Sequence, residues 1–212
     1  MKGENQAAVF TKLLLVALLV VILAVFWFSY NSLVKKEEHV FSAWAQVESN
    51  LQRKADMLPA LVDAIKVYMG HEKDVLLETS KLRSHSLPNL VREMDAQSRV
   101  LKEATSGSTT PDESAMHQIA AAKTQLDQTL KGIFAVAEQY PVLKSSEQFL
   151  RLQAQIEGTE NRINVTRMQF NNSVDSYNSV LKTIPTVIIA RIGGFQRKAY
   201  FKADKERKTI KW

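Results

Sequence analysis

Residues 13–28 read LLLVALLVVILAVFWF, sixteen apolar residues without a break, and any fold for this chain must first find them a place away from water. A helix at the surface of a soluble domain keeps one polar face, and this run has none. At ~1.5 Å per residue it covers roughly 24 Å, short of the ~30 Å hydrocarbon core of a bilayer. Val9–Lys12 and Ser29–Tyr30 close the gap, with Lys12 reaching back to the headgroups along its own methylenes. Trp27 and Tyr30 fall where an interfacial aromatic belt lies. The rival reading is a cleaved signal peptide, whose apolar region is usually ~7–15 residues long and ends at small residues. Here the run ends in FWFSY and a helical pattern begins at once, which favours an anchor. The expectation is a short N-terminal segment (1–9) and a transmembrane helix (10–30), anchored by Leu13, Leu14, Leu15, Val20, Ile22, Phe26, Trp27 and Phe28. Lys2 and Lys12 precede the span, and Lys35 and Lys36 follow it beside Glu37 and Glu38, so the positive-inside rule leaves its orientation open.

The rest of the chain is written for helices. In 212 residues there are only 7 glycines and 5 prolines, too few for the many turns of a strand-rich fold. The absence of cysteine excludes disulfides, thiolate catalysis and thiolate metal sites. The net charge of +6 is local: beyond Pro185 eight basic residues face only Asp204 and Glu206, while the preceding residues are balanced.

Apolar residues follow a heptad after the anchor. Trp44, Leu51, Leu58 and Ile65 recur every seven residues, beside a companion row of Leu33, Val40, Val47, Leu61 and Tyr68 that is interrupted at Lys54. Pro59 lies inside this pattern, where a proline breaks a helix unless it sits in a first turn. A reversal near 56–58 is therefore favoured over a kinked continuous rod, for which the unbroken heptad argues, with Asp56 capping a second helix from Met57 to Ala104 that kinks before Pro88. Thr110, Pro111 and Glu113 read as a capping box for a third helix along Met116, Ile119, Leu126, Leu130, Ile133 and Ala137, ending at Tyr140-Pro141. Ser145 with Gln148 offers another capping box. The last seam is Phe149, Ile156, Ile163, Phe170, Tyr177 and Ile184, stopped by Pro185. Four long helices with short connections imply an all-α fold: a transmembrane helix, an antiparallel four-helix bundle over 31–184, and a basic-aromatic tail over 185–212. Core packing is sufficient reason for every aromatic on these seams.

No catalytic constellation is present. His39, His71, His85 and His117 lack the spacing of a di-iron or zinc-protease motif, and Glu113 with His117 reads as a surface pair. No phosphate loop, nucleophile elbow or dinucleotide fingerprint occurs, so no catalytic, cofactor or metal residues are assigned. Charges on an apolar seam are costly unless paired. Lys54, Glu160 and Arg167 stand on seams, and ion pairs between helices are expected there, with Asp56 or Glu157 as partners. Fixing helix register is the first reading of this cluster; a polar patch facing a partner or ion is the second. In the tail, Arg197, Lys198, Tyr200, Phe201, Lys205 and Arg207 mix basic and aromatic character. Docking back along the bundle ranks first for them, an anionic membrane or acidic partner second, and nucleic acid a distant third, since no binding motif accompanies the tail.

Three stretches carry a resemblance to a known family: YNSLVKKEEHVFSAWAQVESNLQRKADMLPALVDAIKVYMGHE (30–72), FAVAEQYPVLKSSEQFLRLQAQIEGTENRINVTRMQFNNSVDSYNSV (134–180) and GFQRKAYF (194–201). With their Ala-Trp, Leu-Pro-x-Leu-Val, Tyr-Pro-x-Leu-Lys and Glu-Asn-Arg-Ile motifs in order, they make the chain similar to the LemA family of bacterial membrane-associated proteins. Ser145-Ser146 and Gln169-Phe170 depart mildly from the family pattern. The resemblance implies a membrane helix followed by a helical bundle, and it implies no enzymatic activity. It also implies a place in the bacterial inner (plasma) membrane or a membrane derived from it. A subset of the family, the MamQ proteins, serves magnetosome membrane formation. The expected function is a non-enzymatic, single-pass scaffold whose partners are the lipid bilayer and membrane or envelope proteins, itself among them. The alternatives are a membrane-tethered sensor or adaptor in envelope stress or signalling, and a MamQ-like role in magnetosome membranes. Neither nucleic acid nor a small-molecule substrate is expected.

Overall fold

A computed structural model describes residues 2–72, 86–106 and 110–202. Among these residues every regular element is helical: α1 (Lys2–Glu72), α2 (Ser86–Thr105), α3 (Glu113–Ala137), α4 (Pro141–Lys144), α5 (Glu147–Val180) and α6 (Thr186–Gly193). The chain divides into two compact units. One is built from the segment ending at Val40 together with Ser173–Lys198, the other from Phe41–Asn172 and the residues from Ala199 onward. α1 and α5 contribute to both.

The reversal expected near 56–58 does not occur. α1 runs unbroken for 71 residues with Pro59 inside it, so Met57–Glu72 belongs to the first helix and no helix starts at Met57. The reason is burial on both sides of the proline: Val47, Leu51, Leu58, Leu61 and Ile65 are all inaccessible to water, while Pro59 itself is exposed. A helix-interior proline costs ~3 kcal/mol, but each fully buried leucine or isoleucine returns ~1.5–3 kcal/mol. Only a continuous helix keeps all of them on one line. Pro59→Ala restores the donor that Pro59 withholds from the Ala55 carbonyl. It should raise the stability of the detergent-solubilised full chain by about 1 kcal/mol in urea unfolding, and a loss of stability would show that the proline suits its place.

The remaining boundaries also shift. α2 is described from Ser86 to Thr105, and the expected course of the helix leading up to Pro88 falls on residues 73–85, which lie outside the described set. Asp112, not Thr110, caps α3, its carboxylate accepting from the Ala115 amide at 2.7 Å. Aspartate caps as well as threonine, and from position 112 it reaches the third amide of the helix. Pro141 opens α4, Ser145 closes it, and the Ser146 hydroxyl accepts from the Phe149 amide at the start of α5, which replaces the expected Ser145–Gln148 box. α5 stops at Val180, and Ile184 lies beyond it, 84% exposed and off the seam. The residues after Pro185 contain a helix, α6, that Gly194 terminates in the left-handed conformation (φ 73°).

In the unit containing Phe41–Asn172, α2 packs on α3, and Leu87, Val91, Met94 and Leu101 of α2 are buried, as are Met116, Ile119, Leu126, Leu130 and Ile133 of α3. Trp44, Leu51, Leu58 and Ile65 of α1 and Phe149, Ile156, Ile163 and Phe170 of α5 are buried there. Trp44 meets Phe170 edge to face at 5.3 Å. In the other unit Leu33, Val40, Val174, Tyr177, Leu181 and Ile189 form the core. Among the described residues α1 is the one helix long and apolar enough to cross a membrane.

Candidate functional site

Lysine is rarely buried, and Lys54 is 2% exposed. It replaces an apolar residue one heptad after Val47, so α1 carries its ammonium inside the unit that begins at Phe41. Lys123 occupies the equivalent place on α3, on the stripe between Ile119 and Leu126, and Glu160 sits on α5 between Ile156 and Ile163. The charges close a ring. Lys54 Nζ donates to Asp127 Oδ1 and, at 2.7 Å, to Glu160 Oε2. Lys123 Nζ donates to Asp127 Oδ2 and to Glu160 Oε1, each at 2.6 Å. Each carboxylate oxygen accepts from one ammonium, the ring is neutral, and it ties α1, α3 and α5 together.

Burial pushes the Glu160 carboxyl up, but the Lys54 charge and the hydrogen bonds from Lys123 and Lys54 outweigh it and hold the group below its usual range. A carboxyl depressed in the folded state stabilises fully above its unfolded value and loses that contribution as pH falls through its folded value. The melting temperature should therefore drop on acidification below the ordinary 4.5. Glu160→Gln should flatten that drop, measured by circular dichroism; an unchanged acid profile would remove Glu160 from the cause.

The other seam charges lie elsewhere. Asp56 pairs with Lys102 of α2 at 2.6 Å in an exposed bridge, worth little in water. Glu157 accepts from Gln153. Arg167 is half-buried and makes no ion pair among the described residues. Asp127 and Lys123, the partners that complete the ring, are additional to the expected cluster. Lys123 was legible as a charge on the stripe of α3, whereas Asp127 lies beside the stripe and carries no such mark.

Two asparagines of α5, seven residues apart, hold backbone that follows α6. In one unit Asn178 accepts from the Lys198 amide at 3.0 Å and donates to the Lys198 carbonyl at 2.9 Å. The Lys198 ammonium pairs with Glu37 at 2.8 Å and stands over the buried Tyr177 ring. Burial and the Glu37 charge raise the Tyr177 phenol well above its ordinary range, so it stays a neutral donor. In the other unit Asn171 accepts from the Phe201 amide at 2.9 Å and donates to the Phe201 carbonyl at 3.1 Å. The Phe201 ring is buried, edge-on to Trp44 at 6.2 Å. Tyr200 is half-buried and Arg197 exposed; Lys205 and Arg207 lie outside the described residues. Asn171→Ala removes two hydrogen bonds at about 1 kcal/mol each and should speed hydrogen exchange at the Phe201 amide; an unchanged exchange rate would mean that the clamp contributes nothing.

The residues expected to form the anchor, Leu13, Leu14, Leu15, Val20, Ile22, Phe26, Trp27 and Phe28, are 41–74% exposed. Among the described residues no three His, Asp or Glu side chains are grouped to hold a metal ion.

Compared with known families, residues 43–211 match the LemA family. The chain belongs to the LemA family. The ring and both asparagine clamps fall inside the LemA match, and the apolar run precedes it. The magnetosome protein MamQ of Magnetospirillum gryphiswaldense is 25% identical over 174 residues, covering 81% of this chain and 64% of MamQ. The magnetosome protein MamQ 1 of Paramagnetospirillum magneticum is 24% identical over the same shares. The protein LemA of Metamycoplasma hominis is 23% identical over 197 residues, 91% of this chain and 80% of that one. The chain thus spans less than two thirds of the length of the MamQ relatives, and most of that of the mycoplasma LemA.

Proposed function

We propose that this LemA-family chain is a membrane-anchored scaffold without chemistry of its own. In this reading α1 crosses a bacterial inner membrane, or one derived from it, a single time. An antiparallel four-helix bundle then presents its faces to membrane or envelope proteins, or to another copy of the chain. The observation that carries the reading is the exposed apolar surface of α1 from Leu13 to Phe28. Left in water, that surface costs ~25 cal/mol for each Å², and lipid removes the cost. The antiparallel arrangement draws support from two contacts: Trp44 faces Phe170 and Lys54 faces Glu160, so residue numbers rise along α1 as they fall along α5. The ion ring fits a device for register, since sliding α1 by one heptad sets an apolar residue against three charges. The clamped backbone at Lys198 and Phe201 supports a structural use of this stretch over a freely signalling one. MamQ is a magnetosome protein by name, and organisation of a membrane is the process proposed here on that likeness.

Crosslinking the full chain in native membranes, followed by identification of what it captures, tests the proposal. The expected result is retention in the membrane through alkaline washing, with repeatable crosslinks to itself or to membrane neighbours. A chain that washes off, or one that stays strictly monomeric with no captured neighbour, would overturn it.

A further inference from the structure

α6 is apolar on both sides, which is unusual for a helix of 8 residues at a surface. Its inner side, Thr186, Ile189 and Ala190, is buried in the unit that holds Leu33 and Tyr177. Its outer side carries Ile188 and Ile192, one turn apart and 58% and 73% exposed, and Ile184 just before the helix is 84% exposed. Within the same unit the far end of α6 meets the end of the apolar run. Phe195 packs edge to face on Tyr30 at 5.6 Å, and Tyr30 stacks on Phe26 at 6.3 Å. A side chain on Gly193 would lie 2.7 Å from the Phe195 ring and 3.5 Å from that of Tyr30, so a glycine is needed for this approach. Tyr30 is two residues past Phe28, or about 3 Å along the helix, so the C-terminal end of α6 is level with the edge of the apolar run. Residues 182–198 hold Lys182, Arg191, Arg197 and Lys198 and no acidic residue.

We propose that α6 is a second membrane contact: an interfacial helix whose Ile188 and Ile192 enter the headgroup boundary of the leaflet where α1 emerges. Lys182, Arg191 and Arg197 are exposed around it and meet anionic headgroups. Interfacial segments bind bilayers in this way, through apolar area together with nearby basic residues. A chain held by α1 alone would swing about its anchor, whereas a second contact fixes the face that this unit turns to the bilayer. The proposal rests on the reading of α1 as a membrane span.

Because the chain has no cysteine, single cysteines can carry spin labels without any background. The full chain is reconstituted in phosphatidylethanolamine–phosphatidylglycerol vesicles with one label from Ile188→Cys, Ile192→Cys, Lys182→Cys or Val20→Cys, and collision with oxygen is compared with collision with a water-soluble nickel chelate. The expected result is an oxygen-to-nickel ratio several-fold higher at positions 188 and 192 than at 182, with position 20 higher still. Water-like ratios at 188 and 192 with a lipid-like ratio at 20 overturn the α6 contact and leave the anchor standing. Shielding of 188 and 192 from both reagents means that protein covers α6, and it overturns the lipid contact too. A water-like ratio at position 20 overturns the anchor reading, and the α6 contact falls with it.

Discussion

Lys54→Met should lower the unfolding free energy of the full chain by about 3 kcal/mol, measured by urea titration in detergent. Methionine fills nearly the same space, so the loss is electrostatic. Asp127 and Glu160 would be left facing each other with Lys123 as their only shared cation. Breaking one side of a buried ion pair costs ~3–5 kcal/mol, and the lower end applies because these carboxylates are 23% and 29% exposed and water screens them. The double variant Lys54→Met with Glu160→Gln removes one charge of each sign and keeps the Lys123–Asp127 pair. It should recover about 1 kcal/mol or more of that loss. If the single variant matched the parent to within about 0.5 kcal/mol, the ring would contribute no stability.

Phe201→Ala should destabilise the chain by a similar amount, about 3 kcal/mol, the lower end of the cost of deleting a buried phenylalanine. The ring lies against Trp44, and its own backbone is held by Asn171. Losing the ring therefore loosens backbone as well as core. Trypsin should then cut after Lys202 faster than in the parent. Unchanged melting and unchanged cleavage together would show that the aromatic socket holds nothing in place.

The parts of this molecule that repeat were legible in its sequence, and the parts that occur once were not. The apolar run is marked by its unbroken length and the heptad stripes by their period, and together they point to helices throughout the described residues, one of them long and apolar enough for lipid. Pro59 misled because a local rule about amides was set against a stripe whose buried residues lie on both sides of it, and the stripe carries more free energy. Thr110 misled because Thr110 and Asp112 are both good capping residues standing two apart, and only the geometry picks Asp112. Lys54 and Glu160 stood out as charges among apolar neighbours, but nothing in a linear pattern pairs Lys54 with Asp127 or Glu160 with Lys123. The asparagine clamps are the extreme case: Asn178 meets Lys198 across 20 residues and Asn171 meets Phe201 across 30. Side chain to backbone bonds leave no periodic trace at the receiving end.

A closed circuit of two cations and two anions also constrains how descendants of this chain are able to change. Any single replacement that removes or reverses a charge within the quartet strands its partner, so a lineage loses the circuit only by passing through a weakened ancestor or by altering two positions together. Lys54, Lys123, Asp127 and Glu160 should accordingly be inherited as a block, kept or exchanged in matched pairs, while the exposed residues around them drift one at a time.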